Sequence, residues 1–112
     1  MSPANYPHPY LEFAQLFNEQ KFFEAHEVLE LLWREEKGDA RDFYHGLIQI
    51  AAAFVHIQKG TPDGAQKLFQ TAAQYLKKYP SIYLGLDLKK LIDETQASLL
   101  TQKEFPKIRL SH

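Results

Sequence analysis

Cysteine is absent from this chain of 112 residues, which excludes disulfides and thiolate metal sites and suits a reducing cytosol. A long hydrophobic run is missing too. The most apolar stretch, Gly46 to Ile57, falls well short of the ~20 residues that a membrane span needs, and Gln49 and His56 interrupt it. No membrane is expected. Basic charge is not in excess: 13 Lys and Arg stand against 14 Asp and Glu, for a net charge of −1. Domains that hold nucleic acid through its phosphates carry a clear basic surplus, so no nucleic-acid partner is expected. The opening Met1-Ser2-Pro3-Ala4-Asn5-Tyr6-Pro7 has no basic start followed by an apolar stretch and does not read as a secretion signal, which places the expected location in the cytoplasm. Glycine is scarce, and none of it forms a phosphate-cradling loop. The few serines and threonines fall at helix caps or in the tail, so no nucleophile constellation stands out.

What is present is apolar and aromatic. Hydrophobic residues make up 45% of the chain, with 8 Phe, 6 Tyr and 1 Trp. That suffices for one core, and residues 1–112 read as a single helical domain. A domain this short buries a smaller share of its surface than a large one, so a homo-oligomeric interface would be a natural supplement. Charge is unevenly spread. Up to His56 there are nine acidic and four basic residues; beyond it, five and nine. Solvated helix faces with pairing inside one molecule account for such a split. Head-to-tail association of two copies would account for it as well.

The hydrophobic period predicts an all-α bundle of about five helices. Tyr10, Phe13, Ala14 and Phe17 share one face of a first helix that Asn18 ends. A second helix runs from near Phe22 to about Lys37 and stops at Gly38, with Asp39 as the expected N-cap of the third. That third helix, about 41–59, is apolar on two faces: Phe43, Leu47, Ile50, Phe54 and Ile57 line one, and Tyr44, Ile48, Ala51 and Val55 the other. A helix of this kind is surrounded by neighbours. Gly46, Ala53 and Gly60 recur at intervals of seven and predict a seam of close approach. Thr61-Pro62-Asp63 reads as cap, first-position proline and acidic first turn of a fourth helix. It should bury Ala65, Leu68, Phe69, Ala72, Tyr75 and Leu76 and end at Pro80. A fifth helix capped by Asp87 follows Gly85 and turns Leu88, Leu91, Ile92 and Leu99 inward. Phe105-Pro106-Lys107-Ile108-Arg109-Leu110 reads as an extended C-terminal strap.

Polar residues on buried helices need a reason, because an unpaired buried polar group costs about 1–3 kcal/mol. On the second helix His26, Glu30 and Trp33 share a face at the edge of the apolar stripe, while Glu24, Glu27 and Glu35 point elsewhere. On the third, Arg41, His45, Gln49, Ala52 and His56 form the remaining stripe. The short Gly38 connection makes the two helices antiparallel neighbours, so Glu30 is expected near His45 or Gln49, and His26 near Gln49 or His56. Three readings follow. A divalent metal would use His26, Glu30 and a ligand from across the pair, such as His56. His45 and His56, ~16 Å apart along one helix, cannot share an ion. His26-Glu27-Val28-Leu29-Glu30 has glutamate where the zincin motif needs its second histidine. Alternatively, acid–base chemistry or ligand binding would use a buried Glu30 with Trp33 stacking on the ligand. The third reading is a satisfied polar network that fixes helix register, in which Glu30 pairs with Arg34.

Phe22-Phe23-Glu24-Ala25-His26-Glu27-Val28-Leu29-Glu30 with Trp33, followed by Gly46-Leu47-Ile48-Gln49-Ile50-Ala51-Ala52-Ala53 with His56 and Gly60, resembles a prokaryotic family known as domain of unknown function 309. Gly64-Ala65 with Leu68, and Tyr83-Leu84-Gly85-Leu86-Asp87, extend the likeness, which runs from about Phe17 to Leu91. The resemblance implies a small intracellular helical bundle and no assigned activity. Its signature falls here on His26, Glu27, Glu30, Trp33, Arg41, Gly46, Gln49 and His56. His45 departs from it, because glutamine is the more usual residue there.

Two functions remain open. One is a non-catalytic module that associates with a protein, first of all itself, through exposed apolar and aromatic surface around the fourth and fifth helices. The other is a metal- or small-molecule-binding protein, enzyme or not, with its site between the second and third helices at His26, Glu27, Glu30, Trp33, Arg41, Gln49 and His56.

Overall fold

Phe22, Phe43, Leu47, Ile50 and Phe54 are fully buried, and the helices form around them because only stacked apolar faces can remove so much surface from water. A computed structural model describes residues 5–102 and 104–111. Met1–Ala4, part of the opening stretch read for a secretion signal, lie outside the described residues. In chain order the elements are α1 (His8–Asn18), α2 (Phe22–Glu35), α3 (Arg41–Gln58), α4 (Pro62–Leu76), β1 (Ile82–Tyr83), β2 (Leu86–Asp87) and α5 (Leu88–Thr101). Residues 104–110 then run back as an extended strap. The radius of gyration is 12.9 Å. Among the described residues no helix is long and apolar enough to cross a membrane.

As expected from its two apolar faces, α3 lies at the centre, packed against α2 on one side and α4 on the other. Gly46 makes the second contact possible. A Cβ built there would lie 2.6 Å from both Cγ and Cδ2 of the buried Leu76, so α4 sits where a side chain would otherwise be. Ala53, also fully buried, continues this seam. Gly60 does not belong to it. Nothing lies within 4 Å of its Cβ position, and its φ of +79° marks it as the residue that ends α3, a backbone state easiest for glycine.

Two cap assignments change and one holds. Ala40, already helical at φ −77° and ψ −8°, stands at the N-cap of α3 in place of Asp39. Thr61 precedes α4 without capping it. Its hydroxyl turns back to donate to the His56 carbonyl at 3.1 Å, and so closes α3. Asp87 does cap α5, accepting from the Lys90 amide at 3.0 Å. Helices α2 and α4 end at Glu35 and Leu76, short of Gly38 and Pro80. Leu68 and Tyr75 are only half-buried.

The β1–β2 hairpin pairs Ile82 with Asp87 and Tyr83 with Leu86. Its two turn residues, Leu84 and Gly85, both have positive φ (+46° and +76°), the two-residue turn that matches strand twist. The strap is tied down by Asn18, whose side chain accepts from the Ile108 amide at 2.7 Å and donates to the Ile108 carbonyl at 2.8 Å. Phe105 packs on Phe22 and Phe54, with ring centroids 5.1 and 5.2 Å apart.

Gly46→Ala tests the close approach. Alanine gains about 1 kcal/mol of helix propensity, but the Leu76 clash in a filled core costs about 1–3 kcal/mol. A net loss near 1 kcal/mol, read from the urea midpoint, is expected.

Candidate functional site

The half-buried stripe of α3, Arg41, His45, Gln49, Ala52 and His56, faces the space between α2 and α4. From α2, Trp33 reaches His45 with ring centroids 4.9 Å apart. From α4, Tyr75 covers the other side of His45 at 4.4 Å. Arg41 completes the row: its guanidinium carbon lies 4.4 Å from the Trp33 ring centroid, a cation–π contact. The same guanidinium donates to the carbonyls of Trp33 (2.8 Å) and Glu36 (3.1 Å). Both carbonyls lie at the end of α2, where that of Trp33 otherwise accepts only from the Glu36 amide at 3.3 Å. Beyond Tyr75, Lys78 pairs with Asp42 and lies 5.9 Å from the Tyr75 ring centroid.

His45 is therefore held between two aromatic rings. The Gln49 side-chain amide donates to its Nε2 at 3.1 Å, which leaves the hydrogen of the neutral ring on Nδ1. Burial between the rings lowers its pKa below the usual value; nearby Asp42 opposes this and Arg41 adds to it.

Further along α2, Nε2 of His26 lies 3.5 Å from Oε2 of Glu30, and the other oxygen of Glu30 accepts from Arg34 at 2.6 Å. Glu30 thus finds its partners one turn away on its own helix and not on α3. Trp33 takes the place beside His45, and the expected contact of Glu30 with His45 or Gln49 does not form. Phe23 stacks on His26 with centroids 6.0 Å apart. Two nitrogens on this stripe, His26 Nδ1 and Trp33 Nε1, are buried without a hydrogen-bond partner. Glu27 is exposed and faces away.

His56 stands apart from both groups, near the α3–α4 turn. Its Nδ1 lies 2.8 Å from the Thr61 hydroxyl. That hydroxyl spends its hydrogen on the His56 carbonyl, so Nδ1 is the donor. Gly64 leaves room for the ring, since a Cβ there would fall 2.7 Å from Nδ1. The three metal ligands expected from sequence do not assemble: His26 and Glu30 meet, and His56 does not join them. Among the described residues no group of three or more His, Cys, Asp or Glu side chains is placed to hold an ion.

Sequence reasoning offered Trp33, Arg41 and Gln49 together with His26, Glu27, Glu30 and His56, and set aside His45, which contacts both Trp33 and Gln49, because the resemblance favoured glutamine there. It also missed Tyr75 and Lys78. The signal was available in the period of α4: Tyr75 lies one step off the buried row of Ala65, Phe69, Ala72 and Leu76, which puts it at the flank of the helix.

The fold is an all-helical bundle that carries this row of side chains in mutual contact on the face between α2 and α4. The chain belongs to the family described as domain of unknown function (DUF309), whose sequence profile matches residues 10–68. It is also 31% identical over 96 residues to the uncharacterized protein YpuF of Bacillus subtilis (strain 168), an alignment covering 82% of this chain and 55% of that protein. The chain therefore spans about half the length of that relative.

The state of His45 carries a pH dependence. An unfolded histidine takes up a proton below pH ~6.5; the folded one resists until lower pH. Stability should then be flat above that value and fall as pH drops below it. Urea midpoints at pH 7.5 and 5.5 measure this, and His45→Gln should remove part of the fall.

Proposed function

We propose that the protein is a non-catalytic association module that docks a protein surface on the face built by α2, α3 and α4. The observation that carries this reading is the row Arg41–Trp33–His45–Tyr75. Arginine, tryptophan and tyrosine are the side chains that dominate binding energy at protein interfaces, where they offer large area at low entropic cost. Here the four are already in contact with one another in a row, so little ordering remains to be done on binding. Of the exposed apolar side chains of α2, Phe23 (52% exposed) stacks on His26 beside this row, and a partner would relieve its contact with water; Leu31 (60% exposed) lies on the other side of the helix. Ile82 and Leu100 are also exposed, beside α5, but no comparable row accompanies them.

A second copy is the first partner to consider. The acidic surplus up to His56 and the basic surplus beyond it complement each other in a pair. Sedimentation velocity across a concentration series tests this. The native chain should move toward dimer, less so at high salt. Phe23→Glu, at an exposed position, should stay monomeric with an unchanged circular dichroism spectrum. A native chain that remains monomeric to millimolar concentration rejects self-association.

A small ligand or divalent cation between α2 and α3 is the second reading, favoured by the unpartnered nitrogens of His26 and Trp33. Unpaired buried polar atoms are costly and are often explained by a missing ligand or water. His26 and Glu30 alone supply two ligands, so a cation would complete its shell with solvent. Metal content of untagged protein decides between the readings. A stoichiometric ion lost in a folded His26→Ala variant supports this one, and metal-free protein that takes up no added zinc, manganese or iron removes the metal version.

A further inference from the structure

The strap and α5 enclose a cleft on a part of the molecule that the site above does not use. It has two adjoining lobes that share Glu94, Phe105 and Pro106. The first, about 470 Å³, is lined by Lys90, Lys107 and Arg109, and Asp87 stands at its end. The second, about 350 Å³, carries Glu94 and Glu104 as its charged groups, with the hydroxyls of Ser98 and Thr101. Phe105 and Pro106 give the middle an apolar wall.

Charge is thus uneven along the cleft: all three cations line the first lobe, where Asp87 and Glu94 also stand, whereas the second lobe has only the carboxylates Glu94 and Glu104. Asp87 is occupied in capping α5, and Lys107 donates to the Asn18 carbonyl at 2.6 Å. Among the described residues no ion pair engages Lys90, Arg109, Glu94 or Glu104, although all four are exposed. These charges remain available to a ligand. Ser98 adds an independent sign. It is 4% exposed, it lines the second lobe, and its hydroxyl has no hydrogen-bond partner; that of Thr95, fully buried on the same helix, has none either. A hydroxyl buried beside a cavity without a partner is a group that a ligand can satisfy.

The length of the cleft indicates the class of ligand. From Lys90 to Thr101 is eleven residues of helix, ~16 Å, which an extended chain covers in about five residues. We propose that this cleft binds an extended peptide segment with segregated charge, acidic over Lys90 and Arg109, apolar over Phe105 and Pro106, and basic over Glu94 and Glu104. The inference is independent of the face formed by α2, α3 and α4, and the cleft lies outside the residues matched by the family profile.

The test uses fluorescein-labelled synthetic hexapeptides and the full chain. One has two glutamates, two apolar residues and two lysines in that order; the other has the same composition with its charges alternating. Fluorescence anisotropy should show the first binding at least about tenfold more tightly, with an affinity that falls as salt is raised. Amide shifts in NMR spectra should concentrate between Lys90 and Thr101 and along the strap. Lys90→Glu with Arg109→Glu, and separately Glu94→Lys with Glu104→Lys, should each weaken binding about tenfold. All four positions are exposed, so folding is expected to survive. Equal binding of both peptides, no binding of either, or shifts confined to α2 and α3 would each overturn the proposal.

Discussion

The Leu76 side chain of α4 fills the space beside Gly46 where a Cβ would otherwise stand, and much of the molecule is arranged by that contact. Because α4 settles so closely on α3, the residue before Leu76 is carried onto the flank of α3, where the Tyr75 ring covers His45. Lys78, two positions beyond Leu76, is brought to Asp42. A bulkier residue at position 46 would lift α4 and separate the whole row. The smallest side chain in the central helix thus positions some of the largest on the surface.

The row is held from its other end by a single cation with two tasks. Arg41 stacks on Trp33 and at the same time closes the end of α2 by bonding to two of its last carbonyls. A lysine would supply charge but not a planar fork able to do both. Between Arg41 and Tyr75, His45 is kept neutral by burial, which suits a ring stacked on both sides and accepting from Gln49. The row is therefore organised before any partner arrives. By contrast, His26 and Trp33 retain buried nitrogens without partners, so polar satisfaction is incomplete at the edge of the same face.

On the opposite flank, α5 and the strap follow a looser scheme. The strap is not joined to another strand among the described residues; Asn18, Phe22 and Phe54 hold it through side chains. Tyr6 donates to the Ser111 carbonyl at 2.7 Å, and the Ser111 amide donates to Gly85 at 2.8 Å, so the end of the strap is clasped by α1's approach and the hairpin turn. Such anchoring by a few side chains leaves a cleft between strap and helix where a continuous sheet would have left none.

The all-α architecture, the five helices and the central place of α3 were legible from the sequence, because the 3.6-residue period of apolar positions is a local property and α3 shows it twice. The family was legible too, from signatures on α2 and α3. The stripe of polar residues could be assigned to its helix faces for the same reason. Which of them would meet could not be read. That depended on the volume of Trp33, which occupies the gap facing His45 and leaves Glu30 to His26 and Arg34, and on the depth to which α4 sinks at Gly46. The Leu84–Gly85 turn and the cleft beside α5 likewise depend on contacts between residues far apart in the chain. Periodicity specifies the face on which a side chain lies, whereas its neighbour across the helix pair is chosen by packing volume, and that is settled only when the helices come together.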